Sequence, residues 1–175
     1  MKESIGNALL FNIIIVFVII LLAFFLGSLS YTKAFKVNNR IVEEIEKEGE
    51  SAGRQFTDFN QAENAYDNAK DNIEKWLNYG NEGKGIGYRK NTSGGVVECK
   101  YTPSEDYAKG KLVSDKSNNY EYCVYRVDTC SNSGSSRCGV YYHVITYMYF
   151  DVPIIDSLLK LPVNGETRTF EVMKN

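Results

Sequence analysis

Residues 8–29 read ALLFNIIIVFVIILLAFFLGSL, and this stretch decides how the rest of the chain is organised. It carries no charged side chain, and Asn12 is its one strongly polar residue. At about 1.5 Å of rise per residue, a helix of this length crosses a hydrocarbon layer of roughly 30 Å. Everything else is then attached to one end of a membrane helix. A cleaved signal peptide is the competing reading, because Ser28-Leu29-Ser30 offers small residues at cleavage spacing. Its apolar run, however, exceeds an h-region of about 7–15 residues, and its n-region is weakly charged. A retained anchor is expected.

Outward from the span, residues 1–7 form a short cytoplasmic leader. On the other side no proline interrupts residues 5–48, and the next helix breaker after Gly27 is Gly49. The helix is therefore expected to leave the membrane and continue through residues 30–48, a rod of roughly 65 Å in all. Stepping about 100° per residue gathers Asn12, Ile19, Ala23, Gly27, Ser30, Ala34, Val37, Ile41 and Ile45 into one quadrant. The lower part of this stripe is small, which lets helices approach closely in lipid. The upper part is aliphatic and flanked by Arg40, Glu43, Glu44, Glu46 and Lys47, as in an amphipathic helix. For Val37, Ile41 and Ile45, packing on the chain's own domain and packing on a partner are both open. Ala23 and Gly27 are assigned to a partner helix, beyond the reach of the domain.

The chain has 175 residues, 43% hydrophobic and 24% charged, so about 145 remain beyond the span, enough for one domain with its own core. A net charge of −2 provides no basic field for nucleic acid. All four cysteines, Cys99, Cys123, Cys130 and Cys138, lie far past the span. No His or Asp sits beside them at ligand spacing, so two disulfides are expected rather than a zinc site. Cys130 with Cys138 and Cys99 with Cys123 is one pairing, and Cys123 with Cys138 is the rival. Disulfides imply an oxidising compartment and hence an extracytoplasmic domain. Lys33, Lys36 and Arg40 argue the opposite orientation by the positive-inside rule. The cysteines and the short N-terminal flank weigh more, giving N-in, C-out.

The expected domain occupies residues 49–175. A helix begins with Asn60 as cap and Glu63 three residues on, and ends at Asn78-Tyr79-Gly80. Its apolar positions are Ala62, Ala65, Tyr66, Ala69, Ile73, Trp76 and Leu77. From Gly83 the period becomes two. Residues 85–90 and 95–101 read as a hairpin, 102–119 as a loop, and 120–129 and 139–151 as the strongest strands. Residues 165–173 read as a last strand. Residues 151–162, fenced by Pro153 and Pro162, read as an apolar connection. The fold class is α+β: a long membrane-spanning helix continuing into a small domain, with a second helix on a four- to five-stranded antiparallel sheet.

Signs of chemistry are sparse. His143, the one histidine, reads as a half-buried strand residue without a carboxylate at useful spacing. The order Ser-His-Asp, HExxH and the P-loop are absent from the sequence. Gly83-Lys84-Gly85-Ile86-Gly87 lacks the following helix of a phosphate cradle. Asn91-Thr92-Ser93 matches a glycosylation sequon. The acidic run Glu43 to Glu50 reads as a solvated helix face. Tyr120, Tyr122, Tyr125, Tyr141, Tyr142, Tyr147 and Tyr149 suit strands, and form the one candidate ligand platform. Neither an enzyme nor a cofactor is expected.

A short polar leader, then GNALLFNIIIVFVIILLAFFLGSLSYTKAFKVNNRIVEEIEKEG as one helix, then a cysteine-bearing sheet, resembles the lollipop of type IV pilin-like proteins. Within that group the chain is most similar to the TadE-like pseudopilins of tight-adherence pilus systems, and FDVPIIDSLLKLPVNGETRTF is similar to their C-terminal part. The resemblance implies a membrane-anchored structural pseudopilin or minor pilin at a bacterial surface. Its implied partners are membrane lipid and other pilin-like subunits or assembly-platform proteins, met through the N-terminal helix. It also implies a leader-processing site, for which Gly6 is the candidate. The glutamate expected at the fifth position is replaced by Phe11, with Asn12 next. That departure fits a non-processed minor component or platform partner. The alternative is a single-pass surface protein whose tyrosine-rich sheet binds a ligand or partner protein.

Overall fold

The structure is a computed structural model that describes residues 2–51, 55–56, 59–79, 88, 99, 110–114, 120–128, 137–150 and 159–173. Within these ranges, side-chain surroundings are described for residues 10–49, 66–79, 88, 99, 110–114, 120–128, 139–149 and 160–170. The fold is α+β, with α1 at Lys2–Ser51, β1 at Gln55–Phe56 and α2 at Phe59–Tyr79. Four strands lie beyond the short β2 at Lys111–Leu112: β3 at Tyr122–Asp128, β4 at Arg137–Phe150, β5 at Leu159–Glu166 and β6 at Phe170–Met173.

Helix α1 runs 50 residues without interruption. It passes through Gly49, which the sequence suggested as its end. A Cβ there would lie 2.6 Å from Phe170 Cε1, so the glycine lets the Phe170 ring approach the helix closely rather than breaking it. From Leu10 the helix is apolar enough to cross a membrane, and its lower part stands clear of the domain. Above Ser30 it becomes the central member of the core. Ala34, Val37, Ile41 and Ile45 are buried against the sheet. Fully burying one such aliphatic side chain is worth about 1.5–3 kcal/mol, so this once-per-turn periodicity fixes the helix on the sheet.

Helix α2 starts at Phe59, so Asn60 lies inside the first turn rather than capping it. Tyr66, Ala69, Ile73 and Leu77 form its buried face beside α1. Arg40 joins the two helices: its Nη1 is 2.9 Å from Glu43 Oε2, its Nη2 2.5 Å from Glu44 Oε1, and its guanidinium lies 5.9 Å from the Trp76 ring centre. Asn72 Nδ2 donates to Glu48 Oε1 at 3.4 Å. Glu44 is buried, while Glu43 is exposed and Glu46 and Glu48 are half-buried, so the acidic run is only in part the solvated face its composition suggested.

The sheet is organised on β4. One edge pairs with β3 in antiparallel register, Val124 facing Val144. The other edge pairs with β5 and then β6, His143 facing Glu166 and Val140 facing Phe170. Thus the single last strand read from residues 165–173 is two strands that share one edge of β4. Residues 167–169 lie opposite Tyr141 and Tyr142, three against two, which is a bulge. Thr167 holds it: its N donates to Tyr142 O at 3.0 Å and its Oγ1 accepts from Tyr142 N at 3.0 Å. Arg168 N then donates to Glu46 Oε1 at 2.8 Å, tying the bulge to α1.

Three further expectations change. Pro162 sits within β5 opposite Tyr147, not in a connection. Among the described residues β5 pairs only with β4, and an edge strand tolerates a residue without an N–H. Residues 102–119 contain the paired strand β2, Leu112 facing Tyr125. The sheet also has a parallel edge, β1 beside β6, so it is mixed rather than wholly antiparallel. The expected hairpin at 85–101 lies outside the described residues, apart from Tyr88 and Cys99.

Candidate functional site

The sequence singled out one stripe of α1, and the structure divides it at Ser30. Asn12 and Ile19 are exposed along the apolar segment, and Ala23 is half-exposed. Gly27 has little exposed surface of its own and lies about one turn below the first contact with the sheet. Gly6 lies in the first turns of α1, and its surroundings are outside the description. Ser30 is the junction: its Oγ donates to Tyr149 O at 2.6 Å and accepts from Tyr149 N at 3.1 Å. Ala34, Val37, Ile41 and Ile45 belong to the intramolecular core.

Between Ala34 and Ile41 lies a polar knot that the stripe did not include. Asn38 is buried, and its Nδ2 donates to Val144 O and Val163 O, each at 3.0 Å. Thr146 Oγ1 donates to Ala34 O at 3.1 Å. Asn38 fits because Gly165 has no side chain: a Cβ there would overlap Asn38 Oδ1. A polar residue interrupting the aliphatic seam, with a glycine inside a strand, was the available signal.

Cys99 and Cys123 form a disulfide, with Cα atoms 5.8 Å apart. Cys138 is on β4 opposite Val172, and its side chain lies outside the described residues, as does Cys130. The Cys99–Cys123 bond sits on the sheet face away from the helices, with Tyr125, Ile145 and Tyr147. Tyr88, whose ring belongs to the core cluster shared with the helices, inserts its hydroxyl into the end of the β3–β4 ladder, accepting from Tyr147 N at 2.9 Å and donating to Glu121 O at 2.8 Å. Burial pushes the Tyr88 phenol well above its ordinary pKa, against the lowering effect of the Tyr147 hydrogen bond. Tyr120 is raised as well, by burial and by the Glu74 carboxylate.

The tyrosine platform is largely internal. Tyr120, Tyr122 and Tyr142 are in the core under the helices, and Tyr125 and Tyr147 are buried on the opposite face. Tyr149 is half-buried, and its hydroxyl donates to Glu121 Oε2. Tyr141 remains half-exposed. His143 does have a carboxylate partner, contrary to the spacing argument: Nδ1 lies 3.0 Å from Glu166 Oε1 across the β4–β5 pair. The glycine-rich loop and the sequon lie outside the described residues.

No family model, curated protein or solved structure matches the chain.

Proposed function

We propose that this protein is a single-pass, membrane-anchored structural subunit of pilin-like kind. In this reading its α+β domain is held outside the cytoplasm, and the lower half of α1 is offered to other helices in the bilayer. The observation that carries the proposal is the continuity of α1. One unbroken helix supplies both the apolar segment and the centre of the domain core, so a force or a neighbour acting on the anchor acts on the domain without an intervening linker. The Cys99–Cys123 bond supports an oxidising compartment for the domain. Asn12 and Ala23 support helix association, since a small residue permits close approach and an amide in hydrocarbon gains from a partner.

The sheet-binding alternative has weaker support, because most of its tyrosines are buried in the domain. The test uses Ala23→Leu and Asn12→Leu in the full chain, with cross-linking and co-purification of membrane proteins as the readout. Both substitutions are expected to reduce association while the Cys99–Cys123 bond still forms. Unchanged association in both would refute assembly through this stripe. Replacing residues 8–29 by an unrelated apolar helix separates the readings further, since surface binding survives that exchange and helix-mediated assembly does not.

A further inference from the structure

The domain has no stalk. If the apolar segment ends near Leu29, the sheet begins one residue later, where Ser30 holds both backbone polar groups of Tyr149. Across the β4–β5 pair, Tyr149 faces Lys160 and Met148 faces Leu161, which brings the start of β5 to the same level. A headgroup layer is about 5–7 Å deep on each side of the hydrocarbon, roughly four residues of helix. Measured from Leu29, that layer takes in Tyr31 and Lys33, and Phe35 and Lys36 start within about one helical turn of its outer limit, with side chains that lean back toward the helix N-terminus and so toward it.

The surface composition changes at this level. Above Leu29, the large apolar side chains left exposed among the described residues are Tyr31, Phe35, Tyr79 and Leu161. Three of the four are at the rim, and Tyr31 and Phe35 are themselves stacked, ring centres 6.0 Å apart. Beside them on α1, Lys33 and Lys36 are exposed. Lys160 is also at the rim, but its charge is met by Glu121 at 3.0 Å and its ammonium lies 3.9 Å from the Tyr147 ring centre. Amphipathic aromatics with lysines beside them are what a bilayer interface selects.

We infer that this rim, with Tyr31, Phe35 and Leu161 as its apolar contacts and Lys33 and Lys36 as its cations, seats the domain in the headgroup layer of an anionic phospholipid bilayer. The inference rests on the membrane-anchored reading above and adds a second contact to it. The anchor sets the depth of the helix, and the rim sets the tilt and height of the sheet. Lys33 and Lys36 supply the attraction to phosphate, which decays within a Debye length of the surface.

The test reads depth by quenching with brominated lipids, using the full chain in vesicles of phosphatidylcholine with or without phosphatidylglycerol. Trp76→Phe removes the native indole, and Phe35→Trp, Leu161→Trp or Leu22→Trp places one at the rim or within the span. Lipids brominated near the headgroup are expected to quench the indoles at positions 35 and 161, and deeply brominated lipids the one at position 22. Omitting phosphatidylglycerol, or combining Lys33→Gln with Lys36→Gln, is expected to cut quenching at position 161 by about twofold or more. Absent quenching at 35 and 161 with normal quenching at 22 overturns the rim contact and leaves the anchor. Quenching at 161 that ignores both lipid charge and the lysine changes overturns the cation assignment. Absent quenching at 22 overturns the anchored reading itself.

Discussion

Asn38 shows how a single polar residue can hold a helix on a sheet. Its amide serves Val144 O and Val163 O, carbonyls on neighbouring strands, in the hole left by Gly165. Gly165→Ala forces the amide out and is expected to cost about 1–3 kcal/mol, as overpacking does. Asn38→Ala strips two buried carbonyls of their donor and should cost about 1–3 kcal/mol as well. Because the two changes damage one contact, the double variant should lose less than the sum of the singles. Denaturant unfolding of the four proteins checks this, and strict additivity counts against the shared knot. Tyr88 makes a second residue-scale case. Its folded phenol holds its proton above the unfolded value of about 10, so the native state binds more protons above that pH. Its stabilisation is then complete below about pH 10 and is lost as pH rises toward the folded pKa. Tyr88→Phe, which removes the bridge between Tyr147 N and Glu121 O, should be less stable by about 1 kcal/mol at pH 7. Its deficit should shrink between about pH 10 and 11, where the native chain loses the phenol's contribution. A constant gap between native and variant over that range would remove Tyr88 from the alkaline response.

At the scale of the element, α1 is one helix with two kinds of surface, an exposed apolar segment below Ser30 and a buried seam above it. Ala34→Leu, in the core, should cost about 1–3 kcal/mol of domain stability through overpacking. Ala23→Leu, half-exposed in the apolar segment, should leave domain unfolding unchanged. Equal losses from the two would mean that the domain senses the surface of the apolar segment. The same helix shows what the sequence made legible. The apolar run and the 34–37–41–45 seam follow from composition and period, and both are present. Period alone carries no information about what covers a seam, so Val37, Ile41 and Ile45 stayed open between domain and partner until the sheet was seen over them. Strands β3 and β4 were readable from their Tyr, Val and Ile content. Strand β5 was not, because Pro162 read as the fence of a connection and Gly165 as the start of a separate last strand. Pro162 is accommodated by an edge without a second ladder, and Gly165 by the space that Asn38 needs. The His143–Glu166 pair was equally invisible, since cross-strand neighbours 23 residues apart depend on register.

For the whole molecule, the division of the chain by composition differs from its division by packing. Hydropathy falls and charge rises after residue 29, and the glycine at 49 invites a boundary there. The core ignores that boundary: Ala34, Val37, Ile41 and Ile45 lie beneath Val140, Tyr142 and Val144, with α2 alongside. Removing residues 30–48 would expose that sheet face and leave Val144 O and Val163 O without Asn38. Deleting three fully buried aliphatic side chains alone forfeits about 4–9 kcal/mol, comparable to the whole stability of an ordinary domain. A fragment of residues 50–175 is therefore expected to be unfolded or aggregated. A fragment of residues 30–175, with the disulfide oxidised, is expected to unfold cooperatively in water. Adding a peptide of residues 30–51 to the shorter fragment should restore structure in proportion to its concentration, because the seam is formed by packing. Circular dichroism and denaturant titration of the two fragments decide the matter. A folded, cooperative 50–175 fragment would show that α1 merely leans on a finished domain, whereas folding only from residue 30 makes the upper half of α1 part of that domain.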